Sequence, residues 1–159
     1  MSMEPQPSAV VDEEAFAVRR TIRIDAPAER VWTALTDPAL ISRWLGDTVL
    51  DGAGVGARGT VSWPDRGAIP LRIEAIDAPR SIAYRWSNDD ASGDVPDEVD
   101  DATSTVFTFT LDPLPTGTRL TVVETGFEAT SDPASNLDSH RRGWDSELDE
   151  LVVLLGARA

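Results

Sequence analysis

Three kinds of residue in this sequence could do chemistry: a carboxylate on an inward strand face, a lone histidine, and five tryptophans. Glu124 stands in alternation with Leu120 and Val122, which belong to the inward side of a strand. A carboxylate turned toward an apolar interior needs a partner, because it gives up its hydration. Arg72, Glu74 and Arg85 on neighbouring strands could supply one, giving either a structural ion pair or a polar anchor at the end of a ligand site. His140 lies beside Arg141 and Arg142 near the start of the last helix, where general-base work would require a partner and a pocket. With no second histidine and no G-x-S-x-G elbow, a surface or helix-packing role is expected for it, and no catalytic residue is assigned. Trp32, Trp44, Trp63, Trp86 and Trp144 offer large buried area and, if they converge, an aromatic-lined pocket; Phe107 and Phe109 share one strand face and join that set.

Cofactor and metal chemistry find little support. Gly54-Val55-Gly56-Ala57-Arg58-Gly59 matches G-x-G-x-x-G, but a dinucleotide site needs a helix after the glycines and here a strand follows, so a flexible turn is expected. The acidic stretch from Ser87 to Ala102 lacks the spacing of a calcium-binding loop and reads as solvated and mobile. The absence of cysteine excludes thiolate metal sites, disulfides and a cysteine nucleophile; the absence of lysine excludes a Schiff base and a P-loop lysine. No cofactor and no metal are expected. The formal charge of −14 opposes nucleic acid and anionic membrane as partners. No signal peptide or membrane-spanning run is present, so a cytoplasmic protein is expected, and the arginine-only basic set suggests a GC-rich bacterial genome.

The elements that must position these residues read in a simple order. Residues 1–16 show no sustained period and read as a disordered leader, ahead of one domain over 17–159. Ile22 and Ile24 close an alternating strand; Ala28, Val31, Trp32 and Leu35 form a helical stripe with Pro27 at its first position; Asp37-Pro38 starts a second short helix carrying Leu40, Ile41, Trp44 and Leu45. Period-two segments follow at 48–51, 58–63, 69–76, 81–86, 105–111 and 118–125, with short turn-rich connections that favour antiparallel neighbours. Asp132-Pro133 opens a last helix with Trp144, Leu148, Leu151, Val152 and Leu155 on one stripe, and Gly156 is placed to end it in a left-handed conformation. Such a stripe must be buried, and the concave face of the sheet is the available partner.

Three passages together resemble the activator of heat-shock-protein-90 ATPase homologues, within the START-like (SRPBCC) superfamily. They are the run from Ile24 through Asp25-Ala26-Pro27-Ala28-Glu29-Arg30-Val31-Trp32 to Asp37-Pro38 with Trp44; Gly117 through Glu124-Thr125-Gly126-Phe127; and Gly143-Trp144 with Leu148 and Leu151. The resemblance spans about residues 18 to 156. It implies an α+β helix-grip fold, a curved antiparallel sheet wrapped around a long C-terminal helix, with a cavity between them that in relatives often holds an apolar ligand. Trp44, Trp63, Trp86, Phe107, Phe109, Glu124, Trp144 and Leu148 are the cavity candidates on that footing. The superfold hosts several activities, so three functions stand side by side. The first is non-enzymatic binding of a small apolar or aromatic molecule. The second is regulation of a chaperone ATPase through the outer sheet and acidic loop. The third is a cyclase-, dehydratase- or hydrolase-like cavity enzyme with Glu124 or His140 moving protons. The eukaryotic co-chaperone carries a further N-terminal domain that this chain is too short to contain, which argues against a chaperone partner; a homodimer through a sheet edge or outer face is a further expectation.

Overall fold

The computed structural model describes residues 6–156. Its elements run β1 (Val10–Asp12), β2 (Ala17–Ile24), α1 (Ala28–Thr36), α2 (Pro38–Ile41), β3 (Asp47–Leu50), β4 (Arg58–Trp63), β5 (Gly67–Asp77), β6 (Ser81–Trp86), β7 (Thr105–Leu114), β8 (Gly117–Thr125), a 3₁₀ turn at Phe127–Ala129, and α3 (Pro133–Gly156). The strands form one antiparallel eight-stranded sheet in the order β1-β2-β8-β7-β6-β5-β4-β3. Every pair from β3 to β8 is a sequence neighbour, β6 and β7 pairing across the long connection at 87–104, and β2 joins the sheet by pairing with β8 from Ala17↔Thr125 to Ile24↔Thr118. This is the helix-grip fold: one long helix lies along one sheet face and the two short helices close one end.

Alternation decides which side chains meet α3. Leu120, Val122 and Glu124 on β8, Phe107, Phe109 and Leu111 on β7, and Ile82, Tyr84 and Trp86 on β6 are all buried. The helix answers with Leu137, His140, Trp144, Leu148, Leu151 and Leu155, spaced three and four apart, while Val152 lies at the margin of the stripe. Asp132 starts α3 by accepting the Ser135 amide on its side chain (3.2 Å) and the Asn136 amide on its carbonyl (3.0 Å). Asp37 does the same for α2 through the Ala39 amide (3.0 Å).

Several expectations are corrected. The leader is ordered where it is described. β1 pairs with β2, Ala9 is buried with its amide on Asp145 Oδ1 (2.6 Å), and Pro7 O accepts from Arg20 Nε (2.8 Å). These contacts order an aperiodic segment from outside it; residues 1–5 lie outside the described residues. Pro27 is the N-cap of α1, one place before the first turn. α2 ends at Ile41, so Trp44 and Leu45 are buried from a turn, and Trp32 packs on the core only partly buried because Ala34 takes the inward position beside Val31 and Leu35. Gly156 is the last described residue of α3 and has no left-handed φ. The glycine-rich segment is a turn only in part. Gly56 (φ 92°) needs the freedom of a left-handed residue, but Gly59 lies inside β4, where a Cβ would fall 1.6 Å from Val49 O.

Candidate functional site

The inward row of β8 ends on Glu124, which stands opposite Phe107 of β7 and Val18 of β2 and is completely buried. Four groups converge on its two oxygens. Oε1 accepts from Trp144 Nε1 (2.9 Å), Oε2 accepts from Trp86 Nε1 (2.9 Å) and Thr105 Oγ1 (2.5 Å), and His140 Nδ1 lies 2.9 Å from both. Trp144 and His140 reach the same carboxylate because they are one turn apart on α3. His140 Nε2 faces the Asn88 carbonyl at 2.8 Å and Asp90 Oδ2 at 3.3 Å. A carbonyl and a carboxylate can only accept, so both ring nitrogens carry hydrogen and the side chain is an imidazolium.

The electrostatics agree with that assignment. Burial disfavours the charge on His140, yet Glu124 and Asp90 outweigh it and hold the imidazole up to about 10. Burial likewise raises Glu124, and the His140 charge with the hydrogen bonds from His140, Thr105 and Trp86 brings it below the ordinary carboxylate range. Asp90 is raised by burial and pulled down to about 2 by His140, Ser139 and Arg66. The pair is closed on itself: Glu124 has its lone pairs occupied and His140 has no free nitrogen to accept a proton. The surface or helix-packing reading of His140 is thus corrected to a fully buried, charged partner of Glu124.

Around this hub the aromatic residues separate into two groups. Trp44, Phe107, Phe109 and Leu148 fill the interior. Phe109 meets Trp44 at 5.9 Å and Trp144 at 5.8 Å between ring centroids, Phe107 meets Trp86 at 4.4 Å, and the residual space beside Trp44, Tyr84, Phe107 and Phe109 is only about 10 Å³. Trp63, Trp86 and Trp144 instead wall an open cleft of about 170 Å³ between α3 and the ends of β4 and β6. Trp86 stacks near Trp144 (6.0 Å, 23° between planes) and meets Trp63 edge-on (6.1 Å). Leu45, Arg66, Asn88, Asp90, Ser139, His140, Gly143 and Glu147 complete the wall. Glu124 is behind it, bonded to two of its tryptophans.

The suggested partners of Glu124 are elsewhere. Arg72 and Arg85 alternate with the buried Leu71, Ile73, Tyr84 and Trp86, so they and Glu74 face the other side of the sheet. There Glu74 binds Arg85 Nε and Arg72 (3.2 Å), and Arg72 binds Asp101 (2.6 Å). The acidic connection is also not free in solvent. Asp89 accepts from the Ser131 amide (2.7 Å) and hydroxyl (2.8 Å) and from Asn136 Nδ2 (2.8 Å), while Asp90 binds Ser139 Oγ (2.5 Å) and Arg66. Hydrogen bonding to the helix start fastens the segment and makes it one wall of the cleft. Sequence reasoning singled out none of Arg66, Asn88, Asp90 or Glu147 as a cleft residue. Only the i, i+4 spacing of His140 and Trp144 was available to tie the histidine to the pocket. No group of three or more His, Cys, Asp or Glu side chains arranged to hold a metal ion occurs among the described residues, and no helix among them is long and apolar enough to cross a membrane.

The family model described as Activator of Hsp90 ATPase homolog 1-like protein matches residues 25–156. Among solved structures, protein MLL2253 of Mesorhizobium loti is 30% identical, superposes with a TM-score of 0.74, and aligns over 90% of this chain and 98% of its own. Protein Ms6760 of Mycobacterium smegmatis (21% identical, TM-score 0.71, 98% and 99% covered) and CalU16 of Micromonospora echinospora (22%, 0.67, 87% and 75%) share the fold. No curated protein matches the chain at a significant level.

Proposed function

The chain belongs to the Activator of Hsp90 ATPase homolog 1-like family, and from that premise we propose that it is a non-enzymatic binding protein for a small apolar or aromatic molecule, held in the tryptophan-walled cleft. The observation that carries this reading is how the indoles are held. Trp86 and Trp144 spend their N–H groups on Glu124, and Trp63 spends its own on Leu45 O (2.8 Å). What they leave for a ligand is apolar surface, most of it on half-buried Trp63 because Trp86 and Trp144 are only 4% and 2% exposed, on a support whose rotamers are locked by buried hydrogen bonds. A volume near 170 Å³ suits one aromatic ring, since an engineered apolar cavity of about 150 Å³ takes benzene. Binding is favoured over turnover because Glu124 and His140, the groups most suited to proton transfer, are saturated by each other and by their neighbours.

Benzyl alcohol titrated into ¹⁵N-labelled protein is the direct test. The indole resonances of Trp63, Trp86 and Trp144 are expected to shift together and saturate, with Trp32 unmoved. Shifts that never saturate, or that include Trp32 equally, would remove the cleft as the site. A Gly143→Leu variant supplies the control. A Cβ on Gly143 meets no atom within 4 Å, so the leucine extends into open space, and leaving glycine inside a helix favours folding by about 0.5–1 kcal/mol. The expected result is a stable protein that no longer takes up the alcohol, read by thermal denaturation and the same titration.

A further inference from the structure

The charged groups in the cleft wall are paired with one exception. Arg66, from the β4–β5 turn, binds Asp90; Asp90, from the β6–β7 connection, also binds Ser139 and faces His140; and His140 is bound to Glu124 behind it. Glu147, one turn after Gly143 on α3, has neither a hydrogen-bond nor an ion-pair partner among the described residues. A second acceptor on the same wall, Asn88 Oδ1, is buried and unpartnered. The unpartnered donor Arg66 Nε has its charge answered by Asp90 and suits a water or a ligand hydroxyl.

Two acceptors lacking donors, a half-buried indole at Trp63 in front of the buried Trp86 and Trp144, and a chain of net charge −14 are the complement of a small cation. Ring faces attract an ammonium through their quadrupole, and a desolvated carboxylate gives it a charge-assisted hydrogen bond. An anionic ligand would meet Glu147, Asp90 and the field of the whole protein. We propose that the ligand of this cleft is an apolar or aromatic amine bound as its ammonium ion, its N–H groups on Glu147 and Asn88 Oδ1 and its hydrocarbon part among Trp63, Trp86 and Trp144. This rests on the binding function proposed above and adds the polarity of the ligand.

Burial, with Glu150 one turn on, pushes the Glu147 carboxyl up to about 7, the behaviour of an acid that lacks its counter-ion. Arg66, Asp90 and His140 also face this space from the turn, the connection and α3, and each is engaged elsewhere. Amine binding therefore strengthens as pH rises through about 7, where Glu147 ionises and the amine is still protonated.

Benzylamine, benzyl alcohol and benzoate, titrated under identical conditions and read on the three indole resonances, test the proposal. Benzylamine is expected to bind about tenfold more tightly than the alcohol near neutral pH, and benzoate more weakly than either. In Glu147→Gln the gap between amine and alcohol should close, and the amine should lose its rise in affinity with pH. An amine that binds no better than the alcohol, or that keeps its advantage in Glu147→Gln, overturns the inference while the alcohol's saturation leaves the binding function standing. Saturation by none of the three overturns both.

Discussion

Glu124→Leu is expected to destabilise the protein by about 3–5 kcal/mol, a large part of the roughly 5–15 kcal/mol that holds a domain of this kind together. The substitution strands the Nδ1 side of the His140 imidazolium, whose ring lies 5.0 Å from Phe127 and 6.0 Å from Trp86, and leaves the Trp144 indole N–H and the Thr105 hydroxyl without their acceptor, while the Trp86 N–H keeps Thr105 Oγ1 (3.1 Å). Each orphaned buried donor adds about 1–3 kcal/mol of its own, although such costs overlap within one network. Urea denaturation measures the total, and a loss below about 1 kcal/mol would show that the hub carries no weight. Adding His140→Leu removes the stranded charge, so the double variant should recover part of the loss, as replacement of whole buried pairs does.

The same hub sets a pH window. His140 is raised in the folded state, so its contribution is complete below its unfolded value of 6.5 and fades as pH climbs through about 10. Glu124 is lowered, so its contribution is present above 4.5 and is lost as pH falls. Glu147 works in the opposite sense to Glu124: raised from 4.5 to about 7, it makes the fold less stable across that interval as it ionises. Stability should therefore decline in two stages as pH rises, the first between 4.5 and about 7 and the second between 6.5 and about 10. Glu147→Gln removes the stage that ends near 7, and Glu124→Gln reduces the one that runs on toward 10.

Arg20→Leu is the second large effect, with an expected loss of about 3 kcal/mol. Arg20 is only 3% exposed on the inward face of β2 and donates to Pro7 O (2.8 Å), Trp144 O (3.1 Å), Asp145 O (2.9 Å) and Asp149 Oδ1 (2.8 Å). Asp149 is mostly in water and screened, so most of the loss comes from the buried carbonyls and from uncoupling three segments at once. Leucine fits the apolar row of Val18, Ile22 and Ile24 but cannot tie that row to α3 or to the chain before β1. Amide exchange at 10–12 should accelerate more than exchange in β7. Equal protection at both, with unchanged urea stability, would refute the role.

The fold was legible because period-two alternation and the Asp-Pro helix starts are local signals. The strand at 58–63 and the one at 81–86 fall where the structure has them, and the others shift by at most three residues at an end. Arg20 shows where locality stops. In a run of three arginines within five residues, nothing in the sequence distinguishes the one that turns inward. His140 is the same case in the site. Its partner sits 16 residues away on another element and its second acceptor is a main-chain carbonyl, which no side-chain pattern encodes. Alternation correctly turned Glu124 inward and also put Arg72 and Arg85 on the opposite face, so the suggested ion pair ran against the parity that placed Glu124.

The pairing of β2 with β8 has a consequence in time. On the ribosome β2 emerges well before β8, the strand that covers its other edge and lies about a hundred residues behind it. At typical synthesis rates of 5–20 residues per second, Val18, Ile22 and Ile24 wait about 5–20 s without their main partner, a sticky edge in a crowded cell. Arg19, Arg20 and Arg23 interrupt that apolar row throughout the wait, as charged gatekeepers do beside strands prone to self-association. One of them, Arg20, is then withdrawn from water to hold the finished helix in place.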